Sequence, residues 1–95
     1  MSALMIVDLS VHDTERYKEY VKLVPELIEK HHGKYLVRGG NVEVMEGKWQ
    51  PERLIVLEFP SVAYARSFLE DPEYQPVADI RHASASTNLV IAEGY

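Results

Sequence analysis

Cysteine is missing from all 95 residues. A disulfide scaffold, a thiolate nucleophile and a Cys-ligated zinc or iron–sulfur centre are therefore excluded. Positive charge is scarce too: 10 basic residues against 15 acidic ones leave a net charge of −5. A nucleic-acid surface needs clustered excess cations, so no nucleic-acid partner is expected. Long apolar runs are absent. The longest, Ala3 to Val7, falls far short of the ~20 residues of a membrane span. It also lacks the basic leader and length of a secretory signal. No membrane association is expected, and the cytoplasm is the expected compartment. Only one glycine pair occurs, Gly39-Gly40, too little for a dinucleotide or Walker-type phosphate loop. Ser10, Ser61, Ser67, Ser84 and Ser86 all lack the G-x-S-x-G setting of a serine nucleophile. His12, His31, His32 and His82 include no H-x-x-x-H pair that would put two imidazoles on one helix face. Neither a metal site nor a cofactor is expected.

What is present is a globular balance, 46% hydrophobic and 26% charged, in a length that makes residues 1–95 one domain. Ala3 to Leu9 reads as a strand apolar on both faces, Met5, Val7 and Leu9 on one and Leu4 and Ile6 on the other. Asp13 or Thr14 caps a helix whose stripe runs through Tyr17, Tyr20, Val21, Val24, Leu27, Ile28 and His31. Pro25 is expected to bend this helix without ending it. Gly33 is expected to end it as a left-handed C-cap. A second strand begins at Lys34 to Val37, breaks at Gly39-Gly40 and resumes over Val42 to Glu46. After a turn, Arg53 to Phe59 forms a third. Ser61 caps a short helix, Asp71-Pro72 starts another, and Thr87 to Glu93 is the last strand.

The order β-α-β-β-α-β, with the second helix in two pieces, is the ferredoxin-like α+β arrangement. A four-stranded antiparallel sheet carries its helices on one face. The first, third and last strands are apolar on both faces, so the other face is left as an apolar patch too large for a monomer. A homodimer packed sheet to sheet is expected.

Three groups of residues extend this reading. They are the run Gly33-Lys34-Tyr35-Leu36-Val37-Arg38-Gly39-Gly40, then Glu46-Gly47-Lys48-Trp49-Gln50-Pro51-Glu52-Arg53 with Glu58-Phe59-Pro60-Ser61, and then Asp71-Pro72-Glu73-Tyr74 with Arg81. In this order and spacing they resemble the domain-of-unknown-function 1330 family across nearly the whole chain. The resemblance implies the dimeric α+β barrel fold, a group that also contains small cofactor-free monooxygenases. It implies a homodimer and no particular reaction. One departure is His32, where the family tends to have a glycine.

Four residues are candidates for a ligand site. Arg38 precedes two glycines whose bare backbone permits close approach of an acidic or carbonyl group. Glu58 lies between Leu57 and Phe59 and shares a strand face with Leu54 and Val56. A carboxylate there is either ion-paired, with Arg38 or Arg81, or has the raised pKa of a general acid or base. Tyr74 and Arg81 are seven residues apart and share a helix face, with Arg81 projecting from an otherwise apolar stripe. Arg38, Glu58, Tyr74 and Arg81 are thus expected to bind substrate, and Glu58 and Arg38 are the candidates for a catalytic role. Glu46 and Arg53 bracket the hairpin loop and are expected to pair across it. Trp49 is expected at an interface. The expected function is binding or conversion of a small carboxylate- or carbonyl-bearing molecule between sheet and helices. The alternative is a non-catalytic ligand-binding or structural homodimer. The residues do not decide whether the protein is an enzyme.

Overall fold

Alternation of side chains and one long helical stripe account for most of the architecture. The structure, a computed structural model, describes residues 2–95. Its elements are β1 (Ala3–Val11), α1 (Thr14–Lys30), β2 (Lys34–Arg38), β3 (Arg53–Phe59), α2 (Val62–Glu70), α3 (Gln75–Ser84) and β4 (Ala85–Glu93). The strands form one antiparallel sheet in the order β2-β3-β1-β4, the ferredoxin-like topology. Met5, Val7 and Leu9 of β1 alternate inward with Ile55, Leu57 and Phe59 of β3 and are buried beneath the helices. Their neighbours Leu4, Ile6, Leu54 and Val56 are only half-buried on the opposite face, where Val90 is 55% exposed.

Asp13 caps α1, its Oδ1 accepting from Arg16 N at 3.1 Å. Pro25 lies inside the continuous helix. Buried Val24, Leu27 and Ile28 surround the proline, and this packing outweighs the missing backbone bond. Ser61 caps α2 through Tyr64 N (3.3 Å).

Three expectations are corrected. The left-handed residue at the end of α1 is His32 (φ 63°), not Gly33. Gly33 serves close packing instead, since a Cβ there would lie 2.6 Å from the Phe59 ring. Asp71-Pro72 opens a turn, and α3 begins only at Gln75, with Pro76 in its first turn. Asp71 Oδ1 accepts from Glu73 N at 2.9 Å, which commits its side chain to the turn. No strand forms over Val42–Glu46. Gly39 turns the chain at φ 72° and donates its N–H to Leu54 O (2.9 Å), ending the β2–β3 ladder there. The expected Glu46–Arg53 pair is therefore not made among the described residues.

These findings set opposite expectations for two neighbours. His32→Gly removes a left-handed non-glycine residue, at the loss of an edge contact with the Tyr64 ring. It should stabilise the fold by roughly 0.5–1 kcal/mol. Gly33→Ala should cost roughly 1–3 kcal/mol by overpacking against Phe59. Chemical denaturation of the two variants beside the parent reads both signs.

Candidate functional site

The sheet's pleat decides which candidates meet. In β2 the register runs Lys34↔Glu58, Tyr35↔Leu57, then Val37↔Val56 and Arg38↔Ile55. Leu36 is thus an extra residue, a β-bulge. An unbroken ladder would have put Arg38 opposite Leu54, on the bare face. The bulge shifts the count by one and turns Arg38 to the helix face beside Ile55.

Glu58 goes the other way. It points to the face away from the helices, 31% exposed, and its Oε1 lies 3.1 Å from Lys34 Nζ. It pairs with neither Arg38 nor Arg81, and the sheet itself separates it from both. Glu58 therefore leaves the candidate site.

Tyr74 and Arg81 are brought together with a partner the sequence did not single out. Tyr20 of α1 and Tyr74, just before α3, share a hydrogen bond between hydroxyls at 2.9 Å. The Arg81 guanidinium lies over the Tyr20 ring, 5.9 Å from its centroid. Arg81 is only 6% exposed. Its Nη2 is 3.3 Å from Nε2 of the exposed His82, while its buried Nε has no partner. No carboxylate pairs with it among the described residues. Burial acts to lower the Arg81 pKa, but the Tyr74 and Tyr20 oxygens outweigh it and hold the pKa above its ordinary value. Burial, then the Tyr74 hydroxyl, lift Tyr20 far above the usual phenol range. A fixed cation thus sits beside a phenol that stays neutral.

These groups face a cavity between sheet and helices. It offers about 30 Å³ to the centres of water-sized spheres, with Met5, Leu57, Phe68, Tyr20, Tyr74 and Arg81 in its walls. That is room for about two waters or a carboxylate-sized head. A tighter hollow of about 10 Å³ shares Tyr20, Val24, Tyr35 and Ile55 with it and is bordered by Tyr17, Arg38 and Arg53. The Arg38 guanidinium lies over the Tyr35 ring, 4.5 Å from its centroid, and that of Arg53 over the Tyr17 ring at 5.6 Å. Tyr17, Tyr20, Tyr35 and Arg53 were missed as site residues because Tyr17 and Tyr20 read as the apolar stripe of α1, Tyr35 as part of a strand, and Arg53 as a partner of Glu46. Tyr17 and Tyr20 fall on one stripe of α1, and Arg53 alternates with Ile55 and Leu57, so the placement was available once the covered face was known.

A second polar cluster braces the fold. Asp71, 8% exposed, accepts on Oδ2 from Lys30 Nζ (2.9 Å) and lies 2.7 Å from His31 Nε2. This ties the end of α1 to the α2–α3 turn. The Lys30 hydrogen bond, then that from His31, then the Glu73 N–H hold the Asp71 carboxyl well below the usual carboxylate range. A depressed folded-state pKa contributes stability above the unfolded value, about 4. That contribution is lost as pH falls through the folded value. Thermal melts of the parent and Asp71→Asn should differ most at neutral pH and converge below about pH 4.

Among the described residues, no three His, Asp or Glu side chains group as metal ligands would. No helix there is long and apolar enough to cross a membrane.

The fold is similar to several solved structures. A protein of unknown function from Rhodopseudomonas palustris superposes with TM-score 0.82 at 19% identity, over 99% of this chain and 82% of that one. A dimeric ferredoxin-like protein of unknown function from Jannaschia sp. gives 0.73 at 16%, over 99% and 100%. SnoaB, a cofactor-independent oxygenase from Streptomyces nogalater, gives 0.65 at 11%, over 99% and 93%. No curated protein matches the sequence. The family model described as domain of unknown function DUF1330 matches residues 2–95. With that match over nearly its full length, on a ferredoxin-like sheet, the chain belongs to the DUF1330 family.

Proposed function

We propose that the protein binds a small organic anion, a carboxylate or enolate oxygen, in the cavity between sheet and helices. One observation carries this reading: Arg81 is a buried cation with no carboxylate partner, at a cavity that also presents two phenols. Neutral phenol oxygens rather than a carboxylate face this buried cation, and an arriving oxyanion supplies the opposite charge that the chain itself does not. The Arg81 fork and the one O–H of the Tyr20–Tyr74 pair not spent between them are the donors such an oxygen needs. Arg38, at the exposed rim of the adjoining hollow, adds a second cation.

The residues support binding over acid–base turnover. The cavity walls carry no carboxylate or imidazole, and Tyr20 is held neutral. The fold similarity to the oxygenase SnoaB favours, as a second reading, a substrate that reacts from its own enolate. There the protein's part is to hold that oxygen.

The assembly proposed is a homodimer with the bare sheet faces packed together, as the half-buried Leu4, Ile6, Leu54 and Val56 suggest. The similar Jannaschia protein is dimeric, which supports a two-chain assembly here. Trp49 fits at the border of that interface. It is 59% exposed, and its Nε1 donates to Asp8 Oδ2 (2.8 Å) on the same face.

Calorimetric titration with acetate and benzoate against acetamide and benzamide tests the binding. The acids should bind and the amides should not. Equal behaviour of the two sets would refute an anion site.

A further inference from the structure

Three arginines reach the helix face of the sheet, and each lies on a tyrosine ring: Arg81 on Tyr20, Arg38 on Tyr35, Arg53 on Tyr17. None has a carboxylate within 4.0 Å among the described residues. A chain of net charge −5 has thus gathered three cations along one side of its interior while its acids pair elsewhere. Glu58 takes Lys34, and Asp71 takes Lys30 and His31. The one acid beside this track is Glu52, which lines an open cleft with Tyr17 and Arg53 and accepts from Ser10 Oγ (3.0 Å).

The three spaces adjoin through shared walls, the middle one offering only about 10 Å³. The open cleft shares Tyr17 and Arg53 with the small hollow, and the hollow shares Tyr20 and Tyr35 with the Arg81 cavity. At the outer end of the track two buried polar groups lack any partner, as Arg81 Nε does at the inner end. One is the Tyr17 hydroxyl, on a residue 5% exposed, and the other is Arg53 Nε. A guanidinium lying over a ring can still turn in-plane N–H donors to a carboxylate, and Arg53 Nε and Arg81 Nε are without a partner. Cations at both ends, an aromatic and aliphatic middle and orphaned donors at the outer end describe a receptor for two charges rather than one.

We propose that the ligand is a dianion of the dicarboxylate class. One head lies on Arg81 with Tyr20 and Tyr74. The other lies at the outer end, on Arg53 and Arg38 with the Tyr17 hydroxyl. This rests on the anion-binding reading above and specifies its ligand.

The test compares dicarboxylates from succinate to adipate with monocarboxylates of the same chain length, by calorimetry at one fixed salt concentration. One dicarboxylate length should bind at least about tenfold more tightly than its monocarboxylate, the gain of one added charge-assisted head. Arg38→Met changes an exposed side chain. It should weaken that dicarboxylate about tenfold and the monocarboxylate by no more than about twofold, while Arg38→Lys retains part of the preference. Arg81→Met should abolish both. If monocarboxylates bind in an Arg81-dependent way and no dicarboxylate gains more than the twofold statistical factor, the dianion is refuted and the anion site stands. The dianion is equally refuted if the preference survives Arg38→Met and Arg53→Met together. If Arg81→Met leaves monocarboxylate binding intact, the anion site itself falls.

Discussion

Arg81→Met is expected to make the ligand-free protein melt at a higher temperature and to remove its affinity for carboxylates. The two effects have one origin. Arg81 is almost wholly buried with no carboxylate partner, and its Nε has no acceptor. Taking a cation out of water costs several kcal/mol, and here phenol oxygens and the Tyr20 ring face it in place of a carboxylate. Methionine fills similar space and carries no charge. The Tyr20 and Tyr74 hydroxyls still satisfy each other. The expected gain is about 1 kcal/mol, or roughly 4–8 °C in a domain of this size. Calorimetric melts without ligand measure it. Added benzoate should then raise the melting temperature of the parent and not that of the variant. A lower melting temperature in the variant would mean that Arg81 is a net structural stabiliser rather than a strained binding group.

The second large effect concerns assembly. Val56→Asp puts a carboxylate at the centre of the bare sheet face, between Ile6 on β1 and Val37 on β2. Across a two-fold interface each substitution occurs twice. Sedimentation equilibrium should change from a two-chain to a one-chain species over the low-micromolar range. Val90→Asp on β4 should act in the same direction. Leu23→Asp, at an exposed position on α1, should leave assembly unchanged. A parent protein that sediments as a single chain would refute the sheet-to-sheet dimer.

The elements that were legible in the sequence share a strong period or a local cap. The α1 stripe survives an internal proline because apolar residues repeat on both sides of it. Asp13 and Ser61 announce their helices by chemistry that acts within three residues. The β1 and β3 alternations settle which side chains go together, so that Glu58 groups with Leu54 and Val56 by spacing alone. Which of the two groups the helices would cover was not legible, because both faces are apolar and local pattern does not choose between them. Leu36 was invisible as a bulge for a related reason. A run Tyr-Leu-Val carries no signal that one of its members will be skipped. Asp71-Pro72 has the composition of a helix start, and what overrode it was a tertiary contact, the reach of Lys30 and His31 from a helix 40 residues earlier in the chain. The three tyrosines Tyr17, Tyr20 and Tyr35 looked like core because most of each side chain is core. What marks them as site residues is that each ring also carries an arginine.

The skipped Leu36 has a consequence for how relatives of this protein are compared. The assignment of position 38 depends on parity, the number of residues between it and Lys34, more than on its being arginine. Loss of one codon in β2 would move an unchanged guanidinium from the cavity side of the sheet to the side that carries Glu58. A homologue with arginine at the aligned column but no extra residue would carry the same letter in a different compartment. An aligned arginine is thus informative about ligand recognition only together with the length of the strand before it. A length change of one residue in β2 would be enough to give this scaffold, or take from it, one of its charged heads.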